Sequence, residues 1–451
     1  MFLTPHFLMI ISGKLNNKKW SWSMNINCIV TCSESVRIKM LIILVLYWVG
    51  ISCTTQNEIE IPEHLSRIQN LVIIQPNSES APTIELIRDV VINDENVSGS
   101  WYHDNSSTGL AFLEVFWFAG LEIDDSGRIF VGNSLEKKIQ IFDKDGKHLI
   151  NIGREGNGPG EFNGITEIKI QSNQLIAFDF LQFRVTFFSL DSLNVDKVNN
   201  AYLSRTPDIE ELNGWFSNGY HLIDDERFLV KYVKELVNAN VGTPTYNLDK
   251  PRHGNYYIVN SEGEVVSDML FSLRGEKIIT ANVEARHLFN FHSVPFLNQP
   301  LITISDDGHI ASANSEEPLI KMYAPNGDYL RAFYLPMQKK ALLRDELLLI
   351  YGEVDEENEN LLKHAELPET WPALEDIIMD DKNRVWISTI TVSDKRTYTW
   401  WVLQDTGELL TTFSWPGNRS IEKIKDGYVY VRETEESTGQ QTIVKYRIEM
   451  N

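Results

Sequence analysis

Leu121-Glu-Ile-Asp-Asp-Ser-Gly-Arg-Ile-Phe-Val-Gly-Asn133 is followed by Lys138-Ile-Gln-Ile-Phe-Asp143, by Gly146, and by Gly153-Arg-Glu-Gly-Asn-Gly-Pro-Gly-Glu-Phe162. Apolar and polar residues alternate on either side of Asp124–Gly127, which is a hairpin signal. Asp143–Gly146 is a second turn, because Asp and Gly tolerate left-handed backbone angles. His148–Ile152 completes the unit as an outer strand. The glycines of 153–160, with Pro159, permit a tight, irregular crossing to whatever comes next.

A weaker copy follows. Ile129, Phe130, Asn133, Lys138, Ile139, Phe142 and Asp145 align with Leu175, Ile176, Asp179, Arg184, Val185, Phe188 and Asp191. A period in the forties, built of short strands and Gly/Asn/Asp turns, marks β-propeller blades. The same grammar recurs over 219–266, 302–334, 377–413 and 421–448. The expected fold is therefore all-β, a six-bladed propeller spanning 83–451. The sixth unit ends one strand short, and Thr83–Ile92, rich in Ile and Val, is expected to supply that strand and close the ring. Two stretches break the rhythm, 271–300 and 336–373. The second, from Met337 to Tyr351, has apolar residues at helical spacing and predicts a helix or helical pair.

The chain has 451 residues, 43% of them hydrophobic, and 11 Trp, 16 Tyr and 21 Phe. That suits a large all-β core. The net charge of -22 argues against a nucleic-acid partner. All three cysteines, Cys28, Cys32 and Cys53, precede the propeller, so the body carries no disulfide.

Residues 1–53 read as an address. Leu41–Ile51 is apolar but short for a membrane span, with Arg37 and Lys39 before it. A leader this long is unusual, so Met24 or Met40 is the expected start. Ser52-Cys53 and a polar stretch follow. The run resembles a bacterial lipoprotein signal, although Gly50 stands where that family usually has an aliphatic residue. The resemblance implies a lipid-modified Cys53, an exported, outer-membrane-anchored protein on the periplasmic or surface side, and a membrane contact through the lipid. An ordinary cleaved signal or an uncleaved anchor remain the alternatives. Residues 54–82 are expected to form a tether.

Gly156–Phe162 after Gly153 resembles the NHL repeat. Leu367–Leu374 followed by Ile377–Trp386 is similar to the later half of six-bladed propeller lipoproteins of Bacteroidota. Only the first blade carries the Gly-Pro-Gly-Glu-Phe crossing. This fold hosts binding proteins and enzymes alike.

The candidate chemistry is sparse. Some NHL-type propellers are lyases or lactonases with an axial metal, and Asn133, Asp179 and Asn314 occupy comparable blade positions. Oxygen ligands of this kind suit calcium or another divalent metal, but strand-end Asn and Asp are ordinarily turn residues. His309 lies beside a blade turn, and Arg154 and Glu161 lie on the first crossing, where they are expected at the channel mouth. The recurring Asp124-Asp125, Asp224-Asp225, Asp306-Asp307 and Asp380-Asp381 pairs are read as a turn requirement. There is no P-loop, nucleophile elbow or His-Glu-x-x-His pair. The expected role is a binding or scaffold module for an envelope protein or glycan, with no catalysis and no required cofactor. The alternative is a metal-dependent, lactonase-like lyase or hydrolase at the axial mouth.

Overall fold

The computed structural model describes residues 61–75, 84–92, 118–204, 207–234, 253–275, 279–282, 289–292, 297–351, 363, 367–390, 397–435 and 441–450. Cys53, the leader and Met24 and Met40 lie outside them. Six blades are present, each with four antiparallel strands. Strand bounds are Phe118–Ile152 for blade one, Ile165–Asn200 for two, Phe216–Arg274 for three, Pro300–Tyr334 for four, Leu374–Pro416 for five and Arg419–Met450 for six. No helix among the described residues is long and apolar enough to cross a membrane.

Register explains the repeat. Ile129 pairs with Ile123 across the first hairpin, and Leu175 pairs with Ile170 in the next blade, so the two aligned stretches occupy equivalent places. Core clusters run between neighbouring blades. Phe178 of blade two packs on Phe228 of blade three at 5.4 Å between ring centroids. Fully buried Trp386 of blade five shares a cluster with Val429 and Val431 of blade six. Each blade thus buries both faces against its neighbours.

Blade six draws its fourth strand from the other end of the chain. Ile84–Ile92 pairs antiparallel with Gln441–Met450. Blade four gains a fifth strand, Leu71–Ile73, which runs parallel to Tyr329–Tyr334. Residues 61–75 are therefore packed and do not form part of a tether. Leu65 is fully buried, Asn70 donates to the Leu330 carbonyl, and the Tyr329 hydroxyl donates to the Gln69 carbonyl.

The insertion boundaries also shift. Phe271–Arg274 is the outer strand of blade three, so the expected insertion at 271–300 begins after it; Ile279–Asn282 and Phe289–His292 then form a separate hairpin. Within 336–373 one helix spans Arg344–Tyr351, and Lys363 is helical as well. The residues before it are extended, and Ala341 makes an isolated bridge to Thr370.

The two ends of the strands carry different connections. At one end the first and second strands of every blade are joined by short turns such as 124–128, 305–309 and 380–384. At the other end lie the longer connections, including 153–164, 234–252, 275–299 and 335–373.

Candidate functional site at the propeller axis

The short-turn end is built from a repeated clamp. In blade one, Asp124 Oδ1 accepts the backbone N–H groups of Ser126 (3.0 Å) and Arg128 (2.8 Å), and Arg128 Nε donates to Oδ2 at 2.7 Å. Asp224 with Arg227 and Asp380 with Arg384 repeat it. Asp380 also accepts from the buried Trp386 indole at 2.9 Å. The expectation that these Asp pairs serve turns holds for their first members in three blades.

Blade four departs. Its equivalent residues are Ser305 and His309, and the acid stands one place later, at Asp306. Freed from the turn, Asp306 reaches Lys423 Nζ of blade six at 2.6 Å. Lys423 also donates to Glu122 Oε1 of blade one at 2.8 Å. Lys425 lies 3.7 Å from Asp306 and donates to the Ile123 carbonyl at 2.9 Å, and Lys169 of blade two donates to the Ser305 carbonyl at 2.9 Å. Contacts from blades one, two and six thus form one network, which converges on the first turn of blade four.

One register position supplies most of this network. The residue paired with one apolar position of each second strand (Phe130, Ile176, Leu229, Ala311, Trp386 and Tyr430) is Glu122, Lys169, His221, Thr303, Ile378 and Lys423 in blades one to six. Charges that far from solvent persist only when paired. Lys423 is held above its ordinary range: burial acts downward, but Glu122 and Asp306 outweigh it. For Asp306 burial acts upward, and Lys423 and Lys425 overcome it. Burial pushes Glu122 up despite Lys423, so its charge is the least supported of the three. Its Oε2 is buried with no donor, while Oε1 keeps the pair. Burial pushes Lys169 down against the pull of Glu122 and Glu167.

A second set of groups sits on the same innermost strands. Glu167 accepts the Leu222 N–H at 2.9 Å, yet burial raises its carboxyl to about 7. Burial likewise raises Asp376 to about 7 and Glu375 to about 8. His221 falls to about 4 through burial and the nearby Lys231. Glu167, Asp376 and His221 are nonetheless half-buried rather than sealed.

The residues singled out from sequence lie elsewhere. Asn133 and Asp179 end second strands, one removed from the axis, and hold turns. Asn133 Oδ1 accepts the Glu136 N–H at 2.9 Å. Asp179 accepts from the N–H groups of Asn163, Gly164 and Gln182. Asn314 donates to the Arg274 carbonyl. Arg154 and Glu161 pair with each other on the first crossing, where Glu161 also accepts the Gly158 N–H. His309 is at the opposite, short-turn end and contacts Asp307 at 2.9 Å. They do not converge. Among the described residues no group of three or more His, Cys, Asp or Glu is placed to hold a metal ion. Glu122 and Lys169 stand between apolar neighbours, as solvent-side strand residues do, and so, taken singly, carry no sign of the axis in sequence. The readable signal was the shared place of Glu122, Lys169 and Lys423 opposite Phe130, Ile176 and Tyr430, equivalent apolar residues of the second strands, together with the lost Asp–Arg pairing in blade four.

The family DUF5128, described as a 6-bladed beta-propeller, matches residues 120–331. No curated protein matches the chain. Among solved structures, the chain is similar to a DUF4221 member from Bacteroides vulgatus at 8% identity and a TM-score of 0.46, covering 82% of this chain and 100% of that one. A protein of Bacteroides fragilis named as exported matches at 11% identity and a TM-score of 0.44, covering 84% and 99%. The calcium-binding protein regucalcin of Agrobacterium tumefaciens matches at 9% identity and a TM-score of 0.33, covering 84% and 96%. The six sheets, their closure by both ends of the chain and the family match identify the chain as a six-bladed β-propeller.

Proposed function

We propose that this protein is an exported lipoprotein, anchored to the outer membrane through Cys53, whose propeller binds an envelope protein or glycan at the long-connection end. One observation carries the binding role. Leu135, Leu181 and Phe216 are 50%, 65% and 53% exposed, and they stand at that same end on three successive blades. Near Leu181 and Phe216 in sequence, partly buried Phe180, Phe183 and Tyr220 pack on one another, with ring centroids 5.3–5.6 Å apart. A row of exposed apolar groups on a rigid frame is how recognition surfaces are built. Net charge keeps such a surface soluble.

Leu181→Glu with Phe216→Glu, made in the full chain, is expected to weaken retention of envelope glycans or envelope proteins at least tenfold without lowering the unfolding midpoint. Unchanged retention would sink the binding role. Cys53→Ala is expected to abolish incorporation of labelled fatty acid and to release the protein from membranes. Persistent labelling would sink the anchor.

The enzyme reading has one observation in its favour. Glu167 and Asp376 titrate near 7, where a general base works. Its metal-assisted form has less support: Asn133 and Asp179 hold turns, Asn314 ties to the Arg274 carbonyl, and among the described residues no cluster of His, Cys, Asp or Glu is placed to hold a metal. The direct check is the unfolding midpoint in EDTA against added calcium; a rise with calcium would favour the enzyme.

A further inference from the structure

A cavity of about 410 Å³ opens between blades three and four. It is bounded by the outer strand of blade three and by the second and third strands of blade four. Phe271, Leu273 and Leu319 give it an apolar wall, each at least nine-tenths buried. Its size falls within the ordinary range for small-molecule sites.

Most of its polar groups are committed. Arg274 Nη1 donates to Glu316 Oε2 at 2.7 Å, Lys339 donates to the Glu316 carbonyl at 3.1 Å, and Glu317 meets His64 at 2.6 Å. Lys321 is different. It is half-buried, lines the cavity, and makes no ion pair or hydrogen bond among the described residues. Ser312 lies directly opposite it in the ladder, so the two side chains share one face of the sheet. Ser312 is 1% exposed, and its hydroxyl lies within hydrogen-bond reach of the Tyr323 hydroxyl alone, which leaves the rest of its hydrogen-bonding capacity unmet. A free ammonium and a buried hydroxyl with unmet capacity thus stand side by side above an apolar wall. Leaving such groups unmet is costly unless something fills the site.

The geometry points to a binding site for a small amphipathic carboxylate, its oxygens on Lys321 and Ser312 and its apolar body on Phe271, Leu273 and Leu319. A single negative charge fits better than a phosphate dianion, because the Glu316 and Glu317 carboxylates also line the cavity. This site is separate from the axis and from the row of exposed apolar residues.

The probe is 4-fluorophenylacetate, followed by ¹⁹F NMR on the full chain. A body of this size should bind with a dissociation constant on the order of a millimolar or tighter. Lys321→Met, which keeps the aliphatic stem, is expected to weaken binding at least tenfold. Ser312→Ala is expected to weaken it severalfold, and it decides the matter if the lysine variant does not fold. The neutral analogue 2-(4-fluorophenyl)ethanol should bind at least tenfold more weakly than the acid. Absence of saturation with the acid, equal binding of the alcohol, or unchanged binding in the folded variants would each overturn the assignment.

Discussion

Blades five and four open with the same hairpin but use their acids differently. In blade five, Asp380 closes the turn on itself through Lys382, Arg384 and Trp386. In blade four the first place is taken by Ser305, and Asp306, one residue on, reaches Lys423 of blade six. A one-residue shift turns a local cap into a long-range cross-link. The turn itself survives, because the Ser305 hydroxyl accepts the His309 N–H at 3.0 Å. The same backbone shape thus tolerates two side-chain programmes, one serving the blade and one serving the ring.

The largest expected effect comes from breaking the cross-link at its shared cation. Lys423→Met leaves Glu122 and Asp306 buried without their partner, which costs about 3–5 kcal/mol. The check is the guanidinium midpoint, and a loss under about 1 kcal/mol would mean that the network is ornamental. Asp380→Ala tests the local clamp. It leaves the Trp386 N–H and Arg384 without an acceptor and is expected to cost about 2–3 kcal/mol, again read from denaturant unfolding. Asp306→Asn removes one arm and leaves Lys423 on Glu122. With the Asp306 side chain partly solvated, about 1 kcal/mol is expected. If it cost as much as Lys423→Met, Asp306 and not the lysine would be the centre of the network.

The smallest effect is a pH slope that belongs to the axis alone. The folded carboxyls of Glu167 and Asp376 titrate near 7, above their unfolded values of 4.5 and 3.8, and Glu375 near 8. A raised folded value means that stability is complete below the unfolded value and is lost as pH rises through the folded one. His221, lowered from 6.5 to about 4, acts oppositely and loses its contribution as pH falls below 6.5. Between pH 6.5 and 8 only the carboxyls act, so the melting temperature should fall. Glu167→Gln with Asp376→Asn should reduce that slope to the part due to Glu375, while Asp380→Ala should leave it in place.

Much of the fold was legible because turn chemistry and strand period are local. Asp124–Gly127 and Asp143–Gly146 announce their hairpins without help from the rest of the chain. The 129-to-175 alignment survives in the register because neighbouring blades bury equivalent residues. Phe271–Arg274 was missed as a strand because four residues carry too little alternation to stand apart from an insertion. The helix begins at Arg344 and not at Met337, although helix formers fill both parts. The axial network was illegible for a different reason. It joins Glu122, Lys169, Asp306 and Lys423, residues up to 301 positions apart, and their partnership exists only once the ring has brought their strands together. Asn133, Asp179 and Asn314 sit at comparable blade positions, but that position ends the second strand: the first two hold turns, and Asn314 ties to the Arg274 carbonyl of the neighbouring blade.

The strands from residues 71–92 complete the outer edges of blades four and six, which lie hundreds of residues later in the chain. Their partners do not exist until nearly the whole polypeptide has been made. Contacts with such long sequence separation slow the search for the native state. The earliest of these strands to be synthesised are therefore among the last to find their places. Until blade six forms, the apolar Ile84–Ile92 segment is an unpaired edge open to the wrong partner. For a chain that must assemble a closed ring, the interval before that last pairing is when a chaperone would matter most.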